Sequence, residues 1–179
     1  MFDVNRFVAD CRDSLKENDP RALKAVVERA VSDPQSILRT LGEPKRAGFQ
    51  TIHHASDLTV LHLIWGPCMT LFPHDHRMVA VIGLYGGRED NVFYRRTENG
   101  LTRHGGKELH GRDTVILGES VIHSVTNPLD ELTGALHVYT GDFFGTPRSE
   151  WDPDTHEERP YDFQHTLQAF EDSNRRLEE

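Results

Sequence analysis

The stretch FPHDHRMVAVIGLYGG, residues 72 to 87, contains two histidines two positions apart, after a proline and before an apolar run. If the stretch is a β-strand, His74 and His76 point to one face, because side chains alternate between the two faces of a strand. Two imidazoles on one face can hold a metal ion. The pattern is short, however, and a pair of surface or hydrogen-bonded histidines is the ordinary alternative.

A third histidine favours the metal interpretation. His123 ends an apolar segment in GESVIHSVTNP, about 47 residues after His76. That separation suits a later strand of a β-barrel that also contains the histidine pair. His123 could then face the interior of that barrel together with His74 and His76.

Composition limits the classes of function. The chain has 179 residues, 36% hydrophobic and 27% charged, which indicates one globular domain. Its net charge of −9 argues against nucleic-acid or anionic-membrane partners, which need clustered Lys and Arg. Two cysteines are too few for a disulfide framework, and no signal peptide or membrane-spanning stretch is evident. We therefore expect a cytoplasmic protein.

The N-terminal residues 1–42 carry helix signals. Asp3, Asp19 and Asp33 are candidate N-caps, and prolines follow the last two at the first helical position. The sequence therefore predicts a helical layer before the histidine motif.

The character of the chain changes after this layer. Residues 43–160 alternate short β-branched and aromatic segments with turn signals, which predicts an all-β barrel. Residues 161–179 form a predicted C-terminal helix, whose apolar stripe contains Phe163, Leu167 and Phe170. We interpret the three segments as one structural domain.

The motifs resemble those of the cupin superfamily. PHDH, a strand ending in YGG and a distant HSVTN are similar to its two characteristic motifs. The resemblance implies a double-stranded β-helix, or jelly-roll barrel. Many cupins add a Glu ligand four or five residues after the second histidine, where this chain has Ala80 and Val81. A three-histidine metal site is therefore the implied arrangement.

Four segments narrow the resemblance to the thiol dioxygenases, which include cysteine dioxygenase and 3-mercaptopropionate dioxygenase. They are WG at Trp65-Gly66, HDH, IHSVTN and ALHVYTGDF, and the resemblance spans about residues 35 to 150. It implies a non-haem Fe(II) held by His74, His76 and His123. The implied reaction oxidises a small thiol with O2 to a sulfinic acid.

His137 and Tyr139 are the candidate catalytic residues by the same resemblance, with a His–Tyr core pair as the alternative. Ala135 stands where the family has a serine-type residue that orients the histidine, so a backbone carbonyl or water would have to replace it. No cysteine lies near Val81, so we expect no cysteine–tyrosine cross-link. Cys68 is expected to be an ordinary buried thiol.

The substrate-binding residue is the least determined part of the site. Gln50 precedes the histidine pair near the position of the family's carboxylate-binding residue, which favours a mercapto-carboxylic acid over cysteine. Other candidates for binding a carboxylate are Arg46, Arg95, Arg96 and Arg148, although most arginines are solvated surface charges.

Two alternatives to a thiol dioxygenase stay open. One is another metal-dependent cupin enzyme using Mn, Ni or Zn, and the other is a non-catalytic cupin that senses a ligand through its metal. A homodimer is expected only by analogy with other cupins.

Overall fold

The computed structural model describes residues 1–98 and 100–178. Its helices are α1 (Val4–Ser14), α2 (Pro20–Val31), α3 (Pro34–Leu41) and α4 (Phe163–Leu177). Its strands are β1 (Gly48–His54), β2 (Thr59–Trp65), β3 (Thr70–Asp75), β4 (Ala80–Gly86), β5 (Arg88–Thr97), β6 (Gly100–His110), β7 (Thr114–Leu117), β8 (Ile122–Thr126), β9 (Thr133–Tyr139), β10 (Ser149–Trp151) and β11 (Glu158–Pro160). Within these residues, no helix has the length and apolarity needed to cross a bilayer.

The strands form two antiparallel sheets that enclose the core. The first has the order β1-β2-β9-β4-β7 and the second the order β11-β10-β3-β8-β5-β6. β9 returns to lie between β2 and β4, and β8 returns to lie between β3 and β5. These returns produce the interleaved strand order of a jelly roll. The predicted double-stranded β-helix is therefore confirmed.

The N-terminal helices cover the outer face of the first sheet. The predicted caps are confirmed, because the side chains of Asp3, Asp19 and Asp33 each accept a hydrogen bond from a backbone N–H in the first helical turn. Helix α2 lies close to β4 at Gly83, where an added Cβ would stand 2.5 Å from Val27 Cγ1. Val27 belongs to an apolar cluster that joins the helices to the sheet.

Alternation along the first sheet separates two cores. On β4, Val81 packs in the helix-side cluster, whereas Ala80 and Ile82 pack inside the barrel. Helix α4 closes one end of the barrel, with Phe170 stacked on Trp65 at a centroid distance of 5.7 Å. The apolar stripe predicted for this helix therefore contributes to the barrel interior.

Cys68 is not buried, contrary to expectation. It is exposed in the turn before β3, with a φ of 50°. The turn GPC reverses the chain after β2, and the thiol falls on its outer side. The buried thiol is Cys11, in the helix-side cluster.

Gly87 makes the tight turn that carries the chain from the first sheet into β5. Its φ is +78°, and an added Cβ would stand 2.0 Å from Thr133 Oγ1. We expect Gly87→Ala to lower the free energy of unfolding by at least about 1–2 kcal/mol. Urea unfolding would measure this loss. The matched control is Gly86→Ala, where no atom lies within 4 Å of the added Cβ; an equal loss in both variants would contradict this explanation.

Candidate metal centre

Three histidines from the second sheet meet inside the barrel. His74 on β3 is the register partner of His123 on β8, and His76 follows directly after β3. The Nε2 atoms of His74 and His76 are 3.2 Å apart, and those of His76 and His123 are 3.3 Å apart. The structure therefore brings together all three predicted ligands, which we call the histidine triad.

His74 and His76 do not lie on one continuous strand, because β3 ends between them. β3 ends at Asp75, and Arg77 has a φ of 57°, so the chain turns sharply after His76. His76 nevertheless faces the interior, where Met78 and Ala80 belong to the barrel cluster.

Burial keeps the histidine triad neutral. The three side chains are 4%, 2% and 1% exposed, in sequence order. Burial lowers the pKa of His74 to about 3 and holds the pKa values of His76 and His123 well below the ordinary range. Neighbouring imidazoles add to the effect on His76 and His123. Neutral imidazoles are the form that binds metal ions.

Hydrogen bonds on the outer side fix the proton on two of the three rings. His74 Nδ1 donates to the carbonyl of Phe72 at 3.0 Å, and His123 Nδ1 lies 2.7 Å from Asn91 Oδ1. Nδ1 therefore carries the proton in both rings, which leaves each Nε2 with a lone pair that can bind a metal. Both of these Nε2 atoms approach His76 Nε2.

The spacing of the histidine triad fits a metal ion. Ligands about 2.1 Å from a metal, at octahedral to tetrahedral angles, are about 3.0–3.4 Å apart, which matches the observed separations. Among the described residues, the group that can hold a metal contains three histidines and no carboxylate. Ala80, a candidate position for an acidic ligand, packs inside the barrel with an apolar side chain.

The candidate catalytic pair comes from the first sheet and faces the histidine triad. Tyr139 and His137 lie on β9, and the Tyr139 hydroxyl is 3.1 Å from His137 Nδ1. The Tyr139 ring is 5.1 Å from the His76 ring, centroid to centroid. Burial raises the pKa of Tyr139 far above its usual value, so its hydroxyl stays protonated and able to donate.

A buried carboxylate behind His137 was missed at the level of sequence. Glu89 is fully buried on β5, and its Oε2 lies 3.6 Å from His137 Nε2. It accepts hydrogen bonds from Trp65 Nε1 at 2.7 Å and from Asn91 Nδ2 at 2.9 Å. Asn91 in turn contacts His123. The sequence carries no signal that singles Glu89 out, because four polar residues, Arg88 to Asn91, follow the YGG turn in succession. The two-residue period of a strand puts Glu89 and Asn91 on one face of β5.

The cavity beside the histidine triad is small and apolar. It has a volume of about 30 Å³. A larger outer pocket of about 420 Å³ lies beyond it. Tyr161 and Phe163 line both spaces and therefore form the wall between them.

The structure does not place Gln50 at this cavity. Gln50 is exposed on β1, whereas its neighbour Phe49 lines the cavity. Alternation along the strand explains the difference, since adjacent residues face opposite sides.

Of the four candidate arginines, Arg148 is the one whose charge lowers the pKa values of His74 and His76. It is 9% exposed and lies between two rings, 4.1 Å from the Phe143 centroid and 3.6 Å from the Tyr161 centroid. Within the part of the chain that the structure describes, its guanidinium forms no ion pair with Asp or Glu. Arg46 and Arg96, by contrast, are exposed and pair with Glu171 and Glu158. Arg95 is also exposed.

Comparison with known proteins gives structural likenesses alone. No family model matches the chain, and no curated protein matches it in sequence. Among solved structures, it is similar to a cupin superfamily protein from Desulfitobacterium hafniense at 10% identity and a TM-score of 0.47, covering 59% of this chain and 88% of that chain. An RmlC-like cupin family protein from Methanocaldococcus jannaschii has 8% identity and a TM-score of 0.47, and the match covers 56% of this chain and 84% of that chain. A variant oxalate decarboxylase from Bacillus subtilis has 13% identity and a TM-score of 0.45, and the match covers 57% of this chain and 27% of that chain. The fold assignment therefore rests on the strand order, and the site is interpreted from its own residues.

Proposed function

We propose that this protein is a non-haem iron dioxygenase that oxidises a small mercapto-carboxylic acid to its sulfinic acid. The observation that carries the proposal is the histidine triad: three buried, neutral imidazoles with converging Nε2 atoms and, among the described residues, no carboxylate in the ligand group. Both atoms of O2 are transferred to sulfur, so the thiolate supplies all four electrons and no further reductant is needed.

The donor set suits iron and a thiolate. His74, His76 and His123 would hold Fe(II), which supplies a Lewis acid that lowers the thiol pKa and a centre that activates O2. Because the three imidazoles are uncharged, they leave the charge of the ion to be offset by an anionic substrate. A carboxylate ligand would offset part of that charge and favour other reactions.

Tyr139 is the residue we assign to hydrogen bonding at the reacting sulfur or oxygen. Its hydroxyl stays protonated and lies beside the His76 ring. With the Nε2 proton of His137 directed at Glu89, His137 Nδ1 accepts from Tyr139, which holds the phenol in place. His137 is thus the partner that orients Tyr139.

The apolar walls exclude water from the reaction. A cavity of about 30 Å³ is far smaller than the roughly 300–1,000 Å³ of ordinary ligand pockets, and a mercapto-carboxylic acid has at least five heavy atoms, so binding requires the cavity to open. Tyr161 and Phe163 separate it from the outer pocket, and their movement would join the two spaces.

Arg148 is the residue we assign to the substrate carboxylate. A buried guanidinium usually pairs with an anion, and that of Arg148 faces aromatic rings and the backbone oxygen of Asp75 instead. It borders the outer pocket and lies close enough to the histidine triad to influence the pKa values of His74 and His76. A thiol held by iron at one end would meet Arg148 at the other.

Arg148→Gln is expected to raise KM for 3-mercaptopropionate by about 10–100-fold, the value of a lost hydrogen-bonded charge pair. KM for a thiol without a carboxylate, such as 2-mercaptoethanol, should change little. The control is Arg95→Gln, which removes an exposed arginine. Equal losses on both thiols in the Arg148 variant would contradict the assignment.

Oxygen uptake by Fe(II)-loaded protein with a panel of small thiols tests the function itself. We expect one O2 consumed per sulfinic acid formed. Absence of uptake with every thiol, in protein that holds iron, would overturn the proposal and favour a metal-binding sensor. Activity with Mn, Ni or Zn on a substrate that is not a thiol would favour another class of metal-dependent enzyme.

A further inference from the structure

We propose that Glu89 is a positioning residue that sets the metal-binding tautomer of His123 through Asn91. This inference deepens the proposed function, because it concerns the histidine triad. It starts from an unusual feature of the interior: a fully buried carboxylate whose sole ionic neighbour among the described residues is His137.

Glu89 fixes the orientation of the Asn91 amide. A carboxylate only accepts hydrogen bonds, so the group of Asn91 that lies 2.9 Å away must be its NH2. The other oxygen of Glu89 accepts from Trp65 Nε1 at 2.7 Å, which locks the carboxylate itself.

The amide then fixes His123. With its NH2 turned toward Glu89, Asn91 presents Oδ1 to His123 Nδ1 at 2.7 Å. An amide oxygen only accepts, so His123 Nδ1 must carry the proton and Nε2 must be the lone pair. The chain of contacts therefore determines which nitrogen faces the metal.

The strand register makes this chain possible. β5 lies beside β8, with Phe93 opposite His123 and Asn91 opposite Val125. Asn91 is therefore the diagonal neighbour of His123 on the same face. Glu89 follows two residues earlier on that face, next to the turn at Gly87.

The same carboxylate faces the catalytic pair. Its Oε2 is 3.6 Å from His137 Nε2, a buried atom without a hydrogen-bond partner in the described structure. Glu89 is thus the polar side chain that faces His137 Nε2, whereas Ala135, at the position of the family's serine-type residue, has no polar side-chain group.

Glu89→Gln tests the proposal by reversing polarity at constant size. If the new NH2 faces Asn91, the Asn91 amide must flip, and its own NH2 then meets His123 Nδ1. His123 would move its proton to Nε2 and lose its ability to bind a metal. We expect Co(II) to bind about 10–100-fold more weakly, the range for loss of a group that supports a ligand.

A double variant that combines Glu89→Gln with Asn91→Asp should restore binding. The carboxylate introduced at position 91 would accept from both the new amide at position 89 and His123, so Nδ1 would carry the proton again and Nε2 would be free. Asp90→Asn is the matched control, because Asp90 is adjacent on β5 and pairs outward with Arg88. It should bind Co(II) like the wild type.

Nitrogen NMR of the metal-free proteins reads the His123 tautomer directly and does not depend on thiol activity. We expect Nδ1–H in the wild type and double variant and Nε2–H in Glu89→Gln. The proposal would be overturned if Glu89→Gln bound Co(II) with wild-type affinity or kept the proton of His123 on Nδ1. It would also be overturned by a double variant that binds no metal, whether or not the single variant folds. Failure of the proposed function can be distinguished from failure of this inference. It would appear as no thiol oxidation in protein whose His123 tautomer still changes with Glu89→Gln and returns in the double variant.

Discussion

His123→Ala is expected to lose metal binding and thiol oxidation together. Among the described residues, the group that can hold a metal has three histidines and no carboxylate that can replace one. The remaining pair, His74 and His76, would hold the ion at two points of an apolar cavity. The loss of affinity should exceed the roughly 10–100-fold cost of removing a group that merely supports a ligand.

Metal content after dialysis, with circular dichroism to check folding, measures this effect. The matched control is His104→Ala, which removes an exposed histidine and should leave metal content unchanged. A folded His123→Ala protein with full iron content would contradict the assignment of the histidine triad.

Acid should destabilise the metal-free protein steeply. The folded-state pKa of His74 is about 3, and those of His76 and His123 are also lowered by burial, whereas an unfolded histidine titrates near pH 6.5. Below about pH 6.5 the unfolded state takes up protons that the folded state does not. The free energy of unfolding then falls by about 1.4 kcal/mol per pH unit for each buried histidine, and the fall continues until the pH approaches the folded-state pKa.

His62 adds to the same trend, because burial lowers its pKa to about 4. Urea unfolding of the metal-free protein between about pH 7.5 and pH 5 would measure the slope. His74→Asn should lower the slope of unfolding free energy against pH by the contribution of one histidine, about 1.4 kcal/mol per pH unit. His104→Ala should leave the slope unchanged. An unfolding free energy independent of pH in this range would mean that the histidines are not buried neutral.

The convergence of the histidine triad could be predicted because its signal is local. Two histidines of alternating strand position and one on a later strand converge whenever the barrel closes in register. The N-caps were equally accessible, since Asp19 and Asp33 each precede a proline at a helix start.

The substrate side was harder to predict because it depends on register and on distant segments. Gln50 was assigned to the pocket, but a shift of one residue along β1 exchanges it with Phe49. Arg148 comes from the loop before β10, where its charge lowers the pKa of His74, and nothing in its local sequence separates it from surface arginines.

The orienting group of His137 shows a different limit. By the family resemblance the orienting group would stand at position 135, where Ala135 has none, and a backbone carbonyl or water was expected in its place. The carboxylate that lies near His137 Nε2 comes from the other sheet. In the sequence, Glu89 is one of several charged residues in GREDN. In the structure, it follows the turn at Gly87 and its side chain is buried. Charged residues are rarely buried without a partner, so sequence alone gave no reason to place it in the core.

Anomalous diffraction at the iron edge, from crystals of Fe(II)-loaded protein, locates the metal. We expect one strong peak about 2 Å from the Nε2 atoms of His74, His76 and His123. A peak elsewhere, or an iron-loaded crystal with no peak at the histidine triad, would contradict this expectation.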